Sequence, residues 1–393
     1  MSRSSAGPLA GVRVLELPAI GPVPFLGMML ADLGAEIIRI DRLAADGDPP
    51  NGMPLGSDGP LGSTGPLGRG RRSIALDLRE PAAAEIALQL VADCDILIEG
   101  FRPGVAERLG LGPAIALQRN PKLIYGRMTG WGQQGPLAER AGHDITYLAI
   151  SGLLHGIGPK AGPPMPPANY LADFGGGAMP LAVGLLAALL SARATGHGQV
   201  VDAAMVDGAS YLATMVRALY GRGQWTDQRE SNLLDGGAPH YRCYECADGK
   251  YLAVGALEPK FWNVLLDTLG LDASTTPSPY DASRHRELVE LFGGIFAGKT
   301  RDEWAAIFEP LDACVAPVLT LAEAPQHPHN LARSSYLDSA GVSVLGPTPR
   351  FAATPTTLAA EPPEIGADTD ALLAGLGYDQ ARRSQLRASG VIG

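Results

Sequence analysis

Cysteine is scarce in this chain of 393 residues: Cys94, Cys243, Cys246 and Cys314 are all it has. Four widely spaced thiols exclude a disulfide framework in a protein of this size, so reduced cysteines are expected. Basic charge is also short, with 31 Lys and Arg against 41 Asp and Glu and a net charge of -10. That deficit excludes a general attraction to nucleic acid or to an anionic membrane, and an anionic ligand has to be met by a local group of arginines. No stretch reaches the roughly 18 uninterrupted apolar residues of a membrane span. The opening MSRSSAGPLAGVRV lacks the apolar run of a signal peptide, and the closing ASGVIG is not a peroxisomal tripeptide. A cytoplasmic protein with neither nucleic-acid nor membrane partners is the expectation. No GxGxxG follows the first strand pattern, VRVLEL; the turn reads PAIGPVP, which lacks the glycine spacing that brings a backbone up to a pyrophosphate. A nicotinamide dinucleotide is therefore not expected.

The chain does have a long alternation of β-rich and helical patterns: VRVLEL, VPFLGMMLADLG, AEIIRID, SIALDL, AAAEIALQLVADC, DILIEG and LIYGRM. Strand and helix in turn make parallel βαβ units, and apolar strands with little polar alternation suit a sheet covered on both faces. The predicted fold class is α/β: a doubly wound, Rossmann-like large domain over residues 1–222, binding its ligand beyond the carboxyl ends of the strands. The pattern FGGGAMPLAVGLLAALLSARATGHG predicts a long helix opened by three glycines at Asp173, then strand QVVDAAMV. A hairpin around ADGK and three helical patterns predict a smaller α+β domain over 223–332. Residues 333–393 hold too little core to stand alone and are expected to pack back on the large domain. Between Arg42 and Arg69, PLG recurs at 54, 60 and 66 in a Gly- and Pro-rich stretch that reads as a mobile surface loop.

Several residues could carry chemistry. Cys243 and Cys246 form a CxxC, but on a hairpin strand they face opposite sides, so packing in a small sheet competes with a metal or redox role. His327 and His329 form an HxH without a nearby third ligand, and no metal is expected. His143 and Asp144 follow the Gly-rich TGWGQQGPLAERAG after strand LIYGRM, where a doubly wound sheet places ligands. Asp144 reads equally as a helix N-cap. Asp173, before GGG, reads as an N-cap whose glycines let the backbone approach a ligand. Glu258 before Pro259 reads as ordinary first-turn capping. Arg69, Arg71 and Arg72 are either a solvated charge run or an anion contact.

Taken together, GVRVLEL, LADLGAEIIRID, EGFRPGVAERLGLG, YGRMTGWGQQGPLAERAGHDITYLAISG, ADFGGGAMPLAVGLLAAL, GHGQVVDAAMVDG, LDGGAPHYRCYECADGKYLAVGALEPKFW and DACVAPVL resemble the α-methylacyl-CoA racemases, within the family III CoA-transferase superfamily. The resemblance implies exchange of R and S 2-methylacyl-CoA thioesters through an enolate, with His143 and Asp173 as opposed proton carriers. It implies that Glu258 partners His143 and that the helix at Asp144 offers amides to the enolate oxygen. Ile20, Arg42, Arg71, Arg72, Arg102, Tyr147 and Asn169 are the implied acyl-CoA contacts. No cofactor is held permanently, coenzyme A being part of the substrate. The implied assembly is an interlocked homodimer whose active site is shared, Glu258 completing it from the other copy.

Racemases of this kind usually read HDxNY where this chain has HDITY, so Thr146 replaces an amide side chain and changes local hydrogen bonding. The strongest rival is a CoA-transferase of the same superfamily, in which Asp173 attacks the thioester to form an acyl anhydride. A transferase has no need of an opposite-face base such as His143. A third reading, a non-catalytic CoA binder, leaves three titratable residues without a task.

Overall fold

The computed structural model describes residues 7–43, 65–339 and 341–393. The expectation for the PLG-repeat loop falls mainly on 44–64, outside the described residues. The alternating patterns become β1 (Arg13–Glu16), α1 (Pro22–Asp32), β2 (Glu36–Asp41), β3 (Arg71–Ala75), α2 (Pro81–Ala92), β4 (Ile96–Glu99), α3 (Val105–Arg108), α4 (Pro113–Arg119) and β5 (Ile124–Thr129). They continue as α5 (Asp144–Ser151), a π-helix (Tyr170–Ala178), α6 (Met179–Thr195), β6 (Gln199–Ala204) and α7 (Met205–Leu212). The six strands form one parallel sheet in the order β3-β2-β1-β4-β5-β6. In that order successive strands are added toward one edge up to β3 and toward the other from β4, and a crevice opens between β1 and β4 at the carboxyl ends of the strands. Ile37, Ile38, Ile40, Ile96, Leu97 and Ile98 are fully buried or nearly so, as covered strands require.

The chain divides into two compact units. The first comprises Met1–Ser151, Pro167–Leu212 and Val344–Gly393, and the second Gly152–Pro166 and Ala213–Ser343. The expected boundaries near 222 and 333 therefore move to 212 and 344. Residues 152–166 go to the second unit, where Arg229 donates to the carbonyls of His155, Pro159 and Gly162. In the first unit the C-terminal segment covers the edge strand β3. Asp368 accepts from the Ser73 amide at 2.9 Å, Thr369 Oγ1 from the Ala75 amide at 3.1 Å, and Leu76 bridges to Ile392. Leu372, Leu373, Leu386 and Ile392 join the sheet core.

The second unit contains α8 (Thr214–Gly221), β7 (Tyr241–Glu245), β8 (Tyr251–Gly255), α9 (Pro259–Leu269), α10 (His285–Phe296), α11 (Arg301–Phe308) and β9 (Val315–Pro317). The three strands pair antiparallel over a core of Tyr244, Leu252, Trp262, Phe292, Phe296 and Trp304. Cys243 is exposed on β7 and Cys246 is buried beyond it.

The structure changes the reading of Asp173. It does not cap a helix; it lies inside the π-helix, and α6 begins only at Met179. Pro180 has no N–H to give the carbonyl of Gly176, which breaks the α-helical ladder at this point. The glycines leave room for the wide turn: a Cβ on Gly176 would meet the Ala209 amide at 2.6 Å. The continuous helical run Tyr170–Thr195 is long and apolar enough to cross a membrane by length and composition. Here Leu181, Leu185 and Leu189 are buried, and α6 packs on β5 and β6.

Candidate active site

A cleft of about 370 Å³ opens between β1 and β4. Its walls are residues 20–23 after β1, 100–103 after β4, and 128–131 with 138 and 140–143 at and after β5. Tyr147, Asp173 and Met205 complete it. Of the residues singled out in the sequence, His143, Asp173, Tyr147, Arg102 and Ile20 line this one space.

The cleft is built from backbone as much as from side chains. Gly21, before α1, adopts φ 66° and ψ -109°, a conformation costly for any residue with a Cβ. That turn brings its backbone toward Asp173: a Cβ there would be 3.5 Å from Asp173 Oδ2. The Tyr147 ring lies over Gly130 and Gly142, where any Cβ would overlap it, and it meets Trp131 edge-on at 4.8 Å between centroids. The glycines of TGWG and AGHD thus make room for one aromatic ring. Glu99, buried at the end of β4, accepts from the Phe101 amide at 2.6 Å and from Arg127 Nε at 2.8 Å. It anchors the loop that carries Arg102. Burial pushes the Glu99 carboxyl up to about 7. Gly21, Glu99 and Arg140, which also lines the cleft, escaped the sequence reading. Only the glycine of PAIGPVP and the arginine of RAGHD gave a signal there.

Asp144 does not cap its own helix. It is the first residue of α5, buried, and its Oδ2 accepts from the amides of Ala172 and Asp173 at 2.7 and 2.8 Å. It therefore clamps the π-turn that presents Asp173. The capping task falls to Thr146, whose Oγ1 accepts from the His143 amide at 3.0 Å and donates to its carbonyl at 2.7 Å. A third-position side chain reaching back to the residue before the helix is one half of a capping box. His143 is left exposed at the mouth of the helix.

Asp173 has its carboxyl raised to about 6, first by burial and next by the Asp144 charge; the Asn169 amide, 3.4 Å from Oδ2, and His143 pull the other way. Burial, with Asp173 nearby, pushes the Tyr147 hydroxyl up to about 12, so Tyr147 is a hydrogen-bond donor across the neutral range.

The arginine cluster is engaged in ion pairs within the chain. Arg71 is buried against Glu16 at 3.0 Å and donates to the carbonyls of Pro24, Leu67 and Arg69. Arg69 pairs with Asp32, and Arg72 with Glu36 and Asp368. A carboxylate buried at the end of β1 needs a counter-charge, and Arg71 at the start of β3, two strands away in the same sheet, supplies it. Arg42 is exposed just beyond β2 and does not line the cleft.

Glu258, in the second unit, occupies the N-cap position of α9, but its side chain accepts no capping hydrogen bond. The carboxylate is exposed. Among the described residues no group of three His, Cys, Asp or Glu could hold a metal ion.

Comparison with known proteins follows this geometry. The family described as CoA-transferase family III matches over residues 9–369. The α-methylacyl-CoA racemase of Mus musculus is 42% identical over 386 residues, covering 98% of this chain and 97% of that protein. The α-methylacyl-CoA racemase of Homo sapiens is 40% identical with the same coverage. The crystal structure of a CAIB/BAIF family protein from Brucella suis superposes with a TM-score of 0.79 at 26% identity, covering 94% of this chain and 100% of that one.

Proposed function

The chain belongs to CoA-transferase family III, and from that premise we propose that it interconverts R and S 2-methylacyl-CoA thioesters. The reaction is a 1,1-proton transfer and the enzyme an isomerase. The thioester carbonyl acidifies the adjacent C–H. One of His143 and Asp173 takes that proton, its electron pair passes into the enolate, and the other returns a proton to the opposite face. One observation carries the reading: both side chains line a single cleft, and the carboxyl among them is raised to about 6. A carboxyl lifted this far gains or loses its proton near pH 6, so it can take the α-proton or return one at small cost. The two enantiomers of such a thioester differ little in energy, and a reversible exchange calls for a group able to act in both directions.

The amides of Asp144 and Ile145 are the proposed donors to the enolate oxygen, since those of Thr146 and Tyr147 already bond the His143 carbonyl. Ile20, Tyr147 and Arg102 are the proposed acyl-CoA contacts, with Arg42 reaching a more distant phosphate; Arg71 and Arg72 are withdrawn from this role by their ion pairs. Asn169 acts through Asp173. Coenzyme A enters only as part of the substrate. Glu258 partners His143 in an interlocked homodimer whose site draws on both copies. Its exposed, uncapped carboxylate and the exposed Met179, Val183 and Leu190 along α6 support that reading.

Incubating one enantiomer of a 2-methylacyl-CoA in D₂O tests the proposal, with α-deuterium followed by NMR and configuration by chiral analysis. Deuterium gain with loss of optical purity is expected, reduced roughly 10²–10⁴-fold by His143→Ala. Transfer of CoA to an added carboxylic acid without α-exchange would overturn the racemase and favour an Asp173 anhydride.

A further inference from the structure

Glu258 ends the short connection from β8 to α9, and the backbone there is held at three points. The Gly255 amide donates to the Cys314 carbonyl at 2.8 Å, and the Leu257 amide to the Gly255 carbonyl at 2.9 Å, closing a three-residue turn. The Glu258 carbonyl accepts from the Trp262 amide at 3.0 Å as α9 begins. The peptide between Leu257 and Glu258 has a separate anchor: Tyr280 Oη donates to the Leu257 carbonyl at 2.6 Å. The orientation of that peptide sets the direction in which the Glu258 side chain leaves the turn.

The tyrosine is not there for its bulk, because it is 60% exposed. Its ring is steadied edge-on by His240, with 5.6 Å between centroids, and His240 in turn lies against Trp262 at 6.0 Å. His240 is buried, and among the described residues neither ring nitrogen has a hydrogen-bond partner. It gives Tyr280 a packing surface, while the tyrosine hydroxyl goes to the Leu257 carbonyl.

We infer that Tyr280 is a positioning residue that aims Glu258 by holding the Leu257 carbonyl. The inference rests on the proposed role of Glu258 as partner of the catalytic imidazole. The test is α-deuterium exchange of a 2-methylacyl-CoA by the full-length protein carrying Tyr280→Phe, Glu258→Gln, or both. Tyr280→Phe keeps the ring and removes one hydrogen bond, so kcat should fall about five- to tenfold with KM little changed. Its unfolding temperature should match the parent's. In the Glu258→Gln background the same change should cost nothing further. Tyr280→Leu, which also drops the ring, should lose at least as much kcat as Tyr280→Phe. Full kcat in Tyr280→Phe, or an equal loss whether or not Glu258 is present, would overturn the inference. Full kcat in Glu258→Gln alone would overturn its premise, and that single variant reads the premise independently of Tyr280.

Discussion

Asp173 is held in a form that costs stability. Its carboxyl rises from the ordinary 3.8 to about 6 because burial and Asp144 disfavour the charge. The sign follows directly: between about pH 4 and 6 the native protein binds this proton more tightly than the unfolded chain, so stability falls as pH rises through that window and stays lower above it. Asp173→Asn, a neutral isostere, should melt at a higher temperature than the parent at pH 7.5 and lose α-exchange. The gain should vanish below pH 4, and thermal unfolding across pH checks it; equal melting at both pH values would contradict a buried ionised carboxylate. The sequence singled out Asp173, and also Asp144, as a pair of caps. That Asp144 holds the amides of Ala172 and Asp173 was not legible, because 28 and 29 residues separate the partners and only the packed helices join them.

At the scale of elements, the parallel strands and most helices could be read from apolar runs and turn residues, which are local signals. The π-turn could not. Its cause is a conjunction of Pro180, which withholds a donor, and glycines that let α7 approach closely: a Cβ on Gly208 would overlap the Gly176 carbonyl. Gly176→Ala should therefore cost about 1–3 kcal/mol by overpacking. It should also lower kcat more than KM, because the turn it distorts carries Asp173. Denaturant unfolding and exchange kinetics on the same preparation would test this, and an alanine variant with parental stability would show that the crossing is looser than the contact implies. The arginines of RGRRS make the same point from the opposite side. Three positive charges within four residues suggested a solvated or anion-binding patch, yet Arg69 and Arg71 are buried with Asp32 and Glu16 as partners.

At the scale of the molecule, the proposed sharing of the site between two copies makes a sharp prediction. His143→Ala and Glu258→Gln should each keep only a small residual exchange rate alone. Co-expressed, they should form mixed dimers in which one site takes both intact residues, restoring about a quarter of parental activity if copies pair at random. Sites formed within one copy would give no recovery, and the exchange assay distinguishes the two. By itself, the sequence determined the α/β class, the strand order's raw material, and the residue types able to move a proton, since periodicity and side-chain chemistry are properties of short segments. Only the tertiary structure decided which charges are spent internally, which glycines admit Tyr147 over Gly130 and Gly142, and that His143 and Asp173 open on one cleft. Those outcomes depend on contacts between segments far apart in the chain, and on the cost of burying any charge that such contacts leave unpaired.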